Sequence, residues 1–472
     1  MRYLVSRFLM FVSACLAVPA TISAQSIHLP PHEKVVMKNG MTVLLMEKHG
    51  VPMVSFSAIL KSGATADPVG QEGLASITAG LLRKGTKTRT AQQFAADLDF
   101  IGGYFGADAS EESTSVSAEF LTKDLARGLD LYSDALQHPT FPQGEVDKLI
   151  AQAIDSAKGA KDAPDQVLAP YYNGYLFGAV SYGRPTGGDE LSLKRFHRED
   201  VTRFYETYYA PGNIILAVAG EFNTAEMNKK LEEVFGTWTA KAIPAVAVAP
   251  ASLVKGRRLL LVDKPDATQT YFAIGNIGTT ANDPDRVAIR VVNTIFGGRF
   301  TSMLNEALRV ESGLTYGVNS SFEPHKTPGT FGIYSFTKNA TTAQAVDMAL
   351  AILQKLHKDG VTPEQLASAK SYIKGQFPPS IETSGQLARR IAQNEFYGLD
   401  DSEVNQLEAR IDAVTPELAK HVIQKRFPLD SLVFVMIGKA AEIKPAVQKY
   451  AEKQDARAIT EPGYWPPVTE KK

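Results

Sequence analysis

The stretch YAPGNIILAVAG occupies residues 209–220, and the stretch FPLDSLVFVMIG occupies residues 427–438. Each begins with a turn signal and continues as an apolar run that ends in glycine, a pattern typical of a buried β-strand. Similarity at a separation of about 220 residues indicates a duplicated domain rather than a short repeat. These two strands therefore predict a chain built from two related halves.

Further landmarks precede both strands in the same order. A helical stretch lies upstream of each strand, an aromatic residue followed by glycine lies before that helix, and an earlier helix ends near a proline turn. Their common order at one offset supports two homologous halves. The helical stretches before the strands are residues 200–207 and 416–426, and the aromatic-glycine pairs are Phe177-Gly178 and Tyr397-Gly398. The earlier helices are residues 125–136 and 347–356.

A segment rich in proline and alanine separates the two halves. Residues 240–252 read AKAIPAVAVAPAS and lack helical periodicity, which favours an extended linker. We predict an N-terminal domain at residues 26–239, a linker at residues 240–256 and a C-terminal domain at residues 257–472. Strand patterns are separated by helical stretches in both halves, so the expected fold class is α+β, with helices on a mainly antiparallel sheet in each domain.

The first residues of the chain predict export. Two arginines precede the apolar run at residues 8–18, and small residues follow at Ser23 and Ala24. We therefore interpret residues 1–25 as a signal peptide and expect a periplasmic protein. The run is shorter than the roughly 20 apolar residues that span a bilayer, and Pro19 follows it, so no stable membrane insertion is expected.

Composition excludes several kinds of site. The only cysteine, Cys15, lies in the export segment, where a lipoprotein-like box makes a lipid anchor through Cys15 the lesser alternative. After cleavage no cysteine would remain, which excludes cysteine-ligated zinc and a thiol nucleophile. The chain has 50 basic and 51 acidic residues and no basic stripe, so nucleic acid is not an expected partner.

Residues 61–94 read KSGATADPVGQEGLASITAGLLRKGTKTRTAQQF. This stretch resembles the first signature block of the insulinase, pitrilysin and mitochondrial-processing-peptidase family. In that block a Gly-Leu-Ala lead precedes the inverted zinc motif His-x-x-Glu-His, and a Lys-Gly-Thr exit follows it. Here residues 73–75 match the lead and residues 84–86 match the exit.

The residues that would bind zinc do not match. Ser76 and Gly80 stand at the two histidine positions, and Ala79 stands at the position of the general-base glutamate. The family's third ligand is a glutamate in a later helix, but no glutamate occurs between Glu145 and Glu190. Alanine and glycine side chains offer no donor atom, and serine is at best a weak one. We therefore expect no metal and no cofactor in this chain.

Other features of the first half leave alternatives open. Leu74, Ile77 and Leu81 recur at helical spacing and should face the sheet, while the small residues at 76, 79 and 80 should lie on the other face. Those small residues either leave room for a close partner or a substrate strand, or they merely fill space. The eight histidines are scattered, and none is assigned to a metal.

Residues 296–318 read FGGRFTSMLNEALRVESGLTYGV. The expected structure is a helix that ends at Gly313 and a strand at residues 314–321, which would bring Arg309 close to Tyr316. Taken alone, the pair fits a helix-end arginine and a packing tyrosine. The block also resembles a second family landmark, in which the matching Arg and Tyr donate hydrogen bonds near the scissile carbonyl, across a clamshell from the zinc.

The resemblance implies an enzyme whose active site is shared between two chains. Some bacterial relatives place His-x-x-Glu-His on one chain and the Arg/Tyr pair on another. We therefore expect this chain to be the non-catalytic subunit of an exported heterodimeric zinc metallopeptidase, forming half of a clamshell chamber. A homologous partner with His-x-x-Glu-His would hold the zinc, and the substrates would be unstructured peptides. Arg309 and Tyr316 would contact substrate and oxyanion in trans.

Two other functions compete with this hypothesis. The chain could be a structural or peptide-binding protein of the same fold with no role in proteolysis, although such members typically lose both landmark blocks. An independent hydrolase has only Ser76 in its favour, and no histidine neighbours Ser76 in the sequence.

Overall fold

The structure is a computed structural model that describes residues 27–178, 181–249 and 251–466. The predicted signal peptide and Cys15 lie outside the described residues. The first sheet contains β1 (Glu33–Val36), β2 (Thr42–Glu47), β3 (Met53–Leu60), β4 (Tyr104–Ala109), β5 (Thr114–Leu121) and β6 (Ile214–Gly220). The second contains β7 (Arg258–Asp263), β8 (Gln269–Ile277), β9 (Val318–Glu323), β10 (Thr330–Lys338), β11 (Val433–Gly438) and β12 (Lys453–Ala458).

Helices flank both sheets. Those of the first half are α1 (Leu74–Leu81), α2 (Ala91–Phe100), α3 (Leu125–Gln137), α4 (Gln143–Gly159), α5 (Pro164–Phe177), α6 (Arg198–Tyr208) and α7 (Thr224–Phe235). Those of the second half are α8 (Arg286–Phe296), α9 (Met303–Asn305), α10 (Thr342–Asp359), α11 (Pro363–Gln376), α12 (Ser384–Tyr397), α13 (Ser402–Asn405), α14 (Leu407–Asp412), α15 (Pro416–Arg426) and α16 (Ala440–Val447), with a π-helical turn at Glu306–Glu311.

Five of the six strands have the same connectivity in both sheets. The first has the order β1-β2-β6-β3-β5-β4, and the second has the order β12-β7-β11-β8-β10-β9. Five strands correspond one to one, and only the outermost strand differs: β1 pairs antiparallel with β2, whereas β12 pairs parallel with β7. Most pairings are antiparallel, so the predicted α+β fold with two homologous halves is confirmed.

The repeated stretches form the central strands β6 and β11, and every residue in both strands is buried. Buried strands need continuous apolar sequence because both faces of the sheet are covered. Gly220 ends β6 with a φ of 139°, and a Cβ added there would lie 2.1 Å from the carbonyl oxygen of Met53. The glycine that ends the run is therefore required by a close backbone approach.

One helix from each half packs on the sheet of the other half. Helix α5 packs on β8 and β11, and α12 packs on β3 and β6. The phenol of Tyr172 in α5 donates a hydrogen bond to the carbonyl of Phe331 in β10 at 2.7 Å. The aromatic-glycine pairs of the sequence are the ends of these two helices, with φ values of 73° at Gly178 and 67° at Gly398. The halves are therefore joined through shared cores.

The described part of residues 240–256 contains no helix or strand, and β7 begins shortly after it. Within the ranges that the structure describes, no helix is long and apolar enough to cross a bilayer.

Candidate functional site

Helix α1 occupies the place of the zinc motif, and its first turn is held by Asp67. The carboxylate of Asp67 accepts hydrogen bonds from the backbone N–H groups of Gly73 and Ala75, each at 2.8 Å. Arg184 donates to the Asp67 carbonyl at 2.8 Å. Burial raises the pKa of the Asp67 carboxyl from 3.8 to about 7, against the effect of these backbone donors. This end of α1 is therefore a buried, fully bonded cap.

The small residues of α1 are packed against the same chain. The hydroxyl of Ser76 donates a hydrogen bond to the carbonyl of Thr186 at 2.8 Å. Ala79 is 1% exposed, and a Cβ added at Gly80 would lie 3.1 Å from Cδ2 of Leu149 in α4. Of the two readings left open by the sequence, the space-filling one is supported, because α4 itself occupies the face that a partner or substrate would need.

The side chains around α1 do not fit a zinc ion. The hydroxyl of Ser76 is already bonded, and Ala79 and Gly80 carry no donor atom. Helix α4 faces Gly80 with Leu149, whose side chain has no donor atom. Among the described residues, no group of three or more His, Cys, Asp or Glu side chains is placed to hold a metal ion.

The structure brings Arg309 and Tyr316 together, as the sequence predicts. Arg309 lies in the π-helical turn that continues α9, and its Cζ atom is 4.4 Å from the centroid of the Tyr316 ring. Gly313 follows with a φ of 62°. The helix end and the contact between the two side chains are therefore as expected.

The predicted strand at residues 314–321 is wrong at its start, because β9 begins only at Val318. The backbone N–H groups of Leu314 and Thr315 both bond to the carbonyl of Leu308, at 2.9 and 3.2 Å. These bonds turn the chain back toward the helix. Tyr316 consequently lies in a turn rather than on a strand, and its side chain is 75% exposed.

A second ring also contacts Arg309. The Cζ atom of Arg309 lies 4.4 Å from the centroid of Phe300, which is 59% exposed. Within residues 27–178, 181–249 and 251–466, no hydrogen bond or salt bridge engages the guanidinium. Sequence analysis did not single out Phe300; the available signal was a phenylalanine directly after the Gly297-Gly298-Arg299 turn.

An open groove of about 740 Å³ extends from Arg309 and Phe300 across the second sheet. Helix α5, which comes from the first half, forms one wall of it. Because α5 belongs to the other half of the sequence, the groove exists only once the two halves have packed together. Side chains that line it include Asp165, Tyr271, Phe300, Arg309, Tyr334 and Phe336.

The outer edge of the second sheet is closed by side chains. The side-chain amide of Asn305 in α9 donates a hydrogen bond to the carbonyl of Val318 in β9 at 2.6 Å. The side-chain amide of Asn293 in α8 donates to the carbonyl of Ser320 in β9 at 2.9 Å. The N–H of Ser320 donates to the carbonyl of Gly297 at 3.1 Å. These bonds use the groups through which an added strand would pair. Sequence analysis missed Asn293 and Asn305, because ordinary helix residues give no signal for this role.

The corresponding edge of the first sheet, β4, is different. The backbone N–H of Ser110 donates to the Ser113 carbonyl at 2.8 Å. In an antiparallel ladder hydrogen-bonded pairs alternate with non-hydrogen-bonded pairs, so this bond fixes which residues of β4 bond to β5. The N–H and C=O groups of Phe105 and Ala107 therefore point away from β5. In the part of the chain that the structure describes, no other group bonds to them. A groove of about 610 Å³ lies beside this edge.

Two family models match the chain in succession. Residues 42–189 match the model described as insulinase (peptidase family M16), and residues 195–373 match the model described as peptidase M16 inactive domain. The chain belongs to the insulinase family. Both signature blocks of this family member lie inside the matched ranges.

Curated relatives of this insulinase-family chain cover most of its length. An uncharacterized zinc protease of Bacillus subtilis (strain 168), YmxG, is 25% identical over 84% of this chain and 96% of its own length. An uncharacterized zinc protease of Rickettsia bellii (strain RML369-C) is 27% identical over 76% of this chain and 86% of its own. The similarity therefore extends over most of the length of these relatives.

Solved structures support the fold. A peptidase M16 inactive domain from Pseudomonas fluorescens superposes with a TM-score of 0.82 at 22% identity, covering 86% of this chain and 98% of that one. A protease from Helicobacter pylori superposes with a TM-score of 0.82 at 20% identity, covering 87% of this chain and all of that one. At these identities the likeness establishes the fold alone.

Proposed function

We propose that this chain is the zinc-free subunit of an exported two-chain metallopeptidase, and that it is not a peptidase on its own. One observation carries the proposal. The Arg309 guanidinium contacts two exposed rings at the end of an open groove, while α1 has lost every side chain that could hold zinc. The chain keeps the donors that would help a reaction and lacks the groups that would perform it.

The role of the pair follows from the charge that develops during peptide hydrolysis. Attack on a peptide carbonyl places negative charge on its oxygen, and fixed donors aimed at that oxygen stabilise the transition state. The Arg309 guanidinium supplies charged N–H donors and the Tyr316 phenol supplies an O–H donor. Tyr316 is 75% exposed, so a partner subunit or a substrate can reach it.

The partner has to supply the zinc and the general base. We expect a homologue of the same fold with an intact His-x-x-Glu-His, and we expect the two chains to enclose a chamber of which this chain forms half. Zinc belongs to that partner, and this chain binds no cofactor. The signal-like pattern at residues 1–25 supports a periplasmic location for the assembly.

The substrate class follows from the sheet edges. An extended peptide can add to a strand whose backbone groups are unpaired, and an unstructured peptide can adopt that form. The unpaired groups of Phe105 and Ala107 in β4 provide such an edge, whereas β9 is closed by Asn293 and Asn305. A folded domain has no free strand to offer. We therefore propose unstructured peptides as substrates.

Reconstitution tests the proposal. The chain and an exported homologue with His-x-x-Glu-His, encoded beside it, are purified separately and then mixed. Two quantities are measured: the cleavage of an unstructured fluorogenic peptide and the zinc content of each chain. Activity should require both chains, and zinc should remain with the partner. Arg309→Ala or Tyr316→Phe should lower kcat by roughly 10²–10³, the effect of losing one oxyanion donor.

The matched control is Arg127→Ala. Arg127 also lies over an exposed ring, that of Phe100 at 4.7 Å, but it is on α3 and outside the groove. Its removal should leave kcat unchanged. If Arg309→Ala and Tyr316→Phe behave like this control, the chain is a structural or peptide-binding member of the family. Stoichiometric zinc and cleavage by the isolated chain would exclude the proposal altogether.

A further inference from the structure

Phe300 is exposed without an evident structural reason. It lies in the turn after Gly297-Gly298, and more than half of its side chain is accessible to solvent. An exposed phenylalanine gains little from the hydrophobic effect, since its apolar surface stays in water. The Arg309 guanidinium lies over its ring, with Cζ 4.4 Å from the ring centroid. This contact therefore suggests a role for the ring.

We propose that Phe300 is a positioning residue that holds the Arg309 guanidinium ready for an oxygen acceptor. This inference rests on the proposed function and adds a third residue to the pair. A guanidinium that lies over an aromatic face keeps its N–H donors free, because they point outward in its own plane. Phe300 therefore restrains Arg309 without using any of the donors that substrate needs.

Restraint by a carboxylate would have the opposite effect. An Asp or Glu partner would neutralise the guanidinium and accept its N–H groups, as Asp97, Asp130 and Asp134 do for Arg89. No such partner engages Arg309 within the described ranges of the chain. An aromatic restraint leaves both the positive charge and the donors available for the reaction.

The backbone on either side of Phe300 is anchored, so the ring has a fixed origin. The carbonyl of Arg299 accepts hydrogen bonds from the Ser302 N–H at 3.2 Å and from Asn305 Nδ2 at 3.3 Å. The same Asn305 amide bonds to the Val318 carbonyl at the start of β9. Asn305 therefore joins the turn that carries Phe300 to the strand that follows Tyr316.

The two rings have separable roles. Phe300 has no polar atom, so it can hold the guanidinium but cannot contact an oxyanion. Tyr316 offers both a ring and a phenol. Removing Phe300 should loosen Arg309 while leaving every donor present, whereas removing the Tyr316 hydroxyl should delete a donor while leaving both rings present. These two losses can be told apart by experiment.

The first test uses the isolated chain and needs no catalysis. With arginine labelled in its side chain with ¹⁵N, the Nε–Hε signal of Arg309 is assigned by its loss in Arg309→Ala. Phe300→Ala should shift this signal by removing the ring current and should lower its heteronuclear NOE, and Phe300→Trp should restore a restrained signal. The control is Tyr372→Ala, because Tyr372 lies 5.8 Å from Arg299 rather than against Arg309. An unchanged signal in Phe300→Ala would overturn the inference.

The second test uses the reconstituted pair. Phe300→Ala should lower kcat about three- to ten-fold with KM nearly unchanged, Phe300→Trp should recover most of the rate, and Tyr372→Ala should have no effect. If Arg309→Ala lowers kcat by roughly 10²–10³ but Phe300→Ala does not change it, positioning by Phe300 is disproved and the proposed function stands. If Arg309→Ala is itself without effect, the proposed function fails and the role of Phe300 fails with it.

Discussion

The phenol of Tyr172 donates a hydrogen bond to the carbonyl of Phe331 at 2.7 Å, and the two residues lie in different halves of the chain. Tyr172 belongs to α5 of the first half, and Phe331 belongs to β10 of the second. Helix α12 makes the reciprocal crossing onto the first sheet. Because each sheet is covered by a helix from the other half, we expect the two halves to unfold as one cooperative unit.

Tyr172→Phe tests this coupling. The substitution leaves the buried Phe331 carbonyl without its phenol donor, so the free energy of unfolding should fall by about 1–3 kcal/mol. Urea unfolding followed by circular dichroism should still show one transition. Tyr271→Phe, at a partly buried tyrosine whose ring stacks on Phe336, serves as the control. Two separate transitions would contradict the shared core.

Restoring the zinc motif should not restore a zinc site. In the triple variant Ser76→His, Ala79→Glu, Gly80→His, the new side chains would enter a packed face where Leu149 lies 3.1 Å from the position of an added Cβ. The third ligand would still be missing, because no glutamate occurs between Glu145 and Glu190. We expect no stoichiometric zinc by elemental analysis and a loss of stability of about 2 kcal/mol or more.

The control for that experiment is Gly144→Ala. Gly144 lies in α4, and a Cβ added there would meet no atom within 4 Å. An alanine in a helix is favoured over glycine by roughly 0.5–1 kcal/mol, so this variant should be as stable as the original chain or slightly more stable. Tight zinc binding by the triple variant would show that the packing around α1 is not the obstacle.

Asp67 should make stability depend on pH. Burial raises its pKa from 3.8 to about 7 in the folded chain. Between these values the folded state retains a proton that the unfolded state releases, so the free energy of unfolding falls as pH rises through this window. The total fall attributable to Asp67 should be about 4 kcal/mol, from a shift of roughly three pKa units at about 1.36 kcal/mol each.

Asp67→Asn should remove this part of the pH dependence, although it also weakens the cap of α1. The measurement is the free energy of unfolding from urea titrations at pH values between 4 and 8. Asp155→Asn, on an exposed part of α4, should retain the pH dependence of the original chain. If the Asp67→Asn profile falls just as steeply, another group carries the effect.

Ala107→Pro should weaken peptide binding by the isolated chain. Proline removes the outward N–H of β4 and is tolerated on an edge strand, so the sheet should survive while an added strand loses one of its hydrogen bonds. Fluorescence anisotropy with a labelled unstructured peptide should show affinity lower by about ten-fold, since one bond contributes about 1 kcal/mol and the ring adds a steric clash.

Ala107→Ser keeps the backbone N–H and should bind the peptide normally. A peptide with N-methyl groups at alternate residues should bind weakly to both proteins, because it cannot form the ladder. Equal affinity of Ala107→Pro and Ala107→Ser for the unmodified peptide would exclude β4 as the binding edge and would leave the groove beside Arg309 as the place to look.

The sequence by itself determined the central strands and the residue types that stand at the positions of the zinc motif. Continuous apolar runs predict β6 and β11 because a strand covered on both faces favours apolar side chains throughout. Ser76, Ala79 and Gly80 predict the loss of family-type zinc binding, because donor atoms are a property of residue type alone. The contact between Arg309 and Tyr316 was also predictable, since a helix end and the next turn are close in any fold.

Only the tertiary structure decided which helices pack on the opposite sheet, how the edge of β9 is closed and which ring contacts Arg309. The exchange of α5 and α12 between the sheets depends on apolar surfaces matching at long sequence separation, which periodicity does not encode. The closure of β9 by Asn293 and Asn305 likewise depends on where ordinary helix residues point after folding. The ring of Phe300 meets Arg309 because Asn305 anchors the intervening turn, a relation fixed by three-dimensional contact rather than by composition.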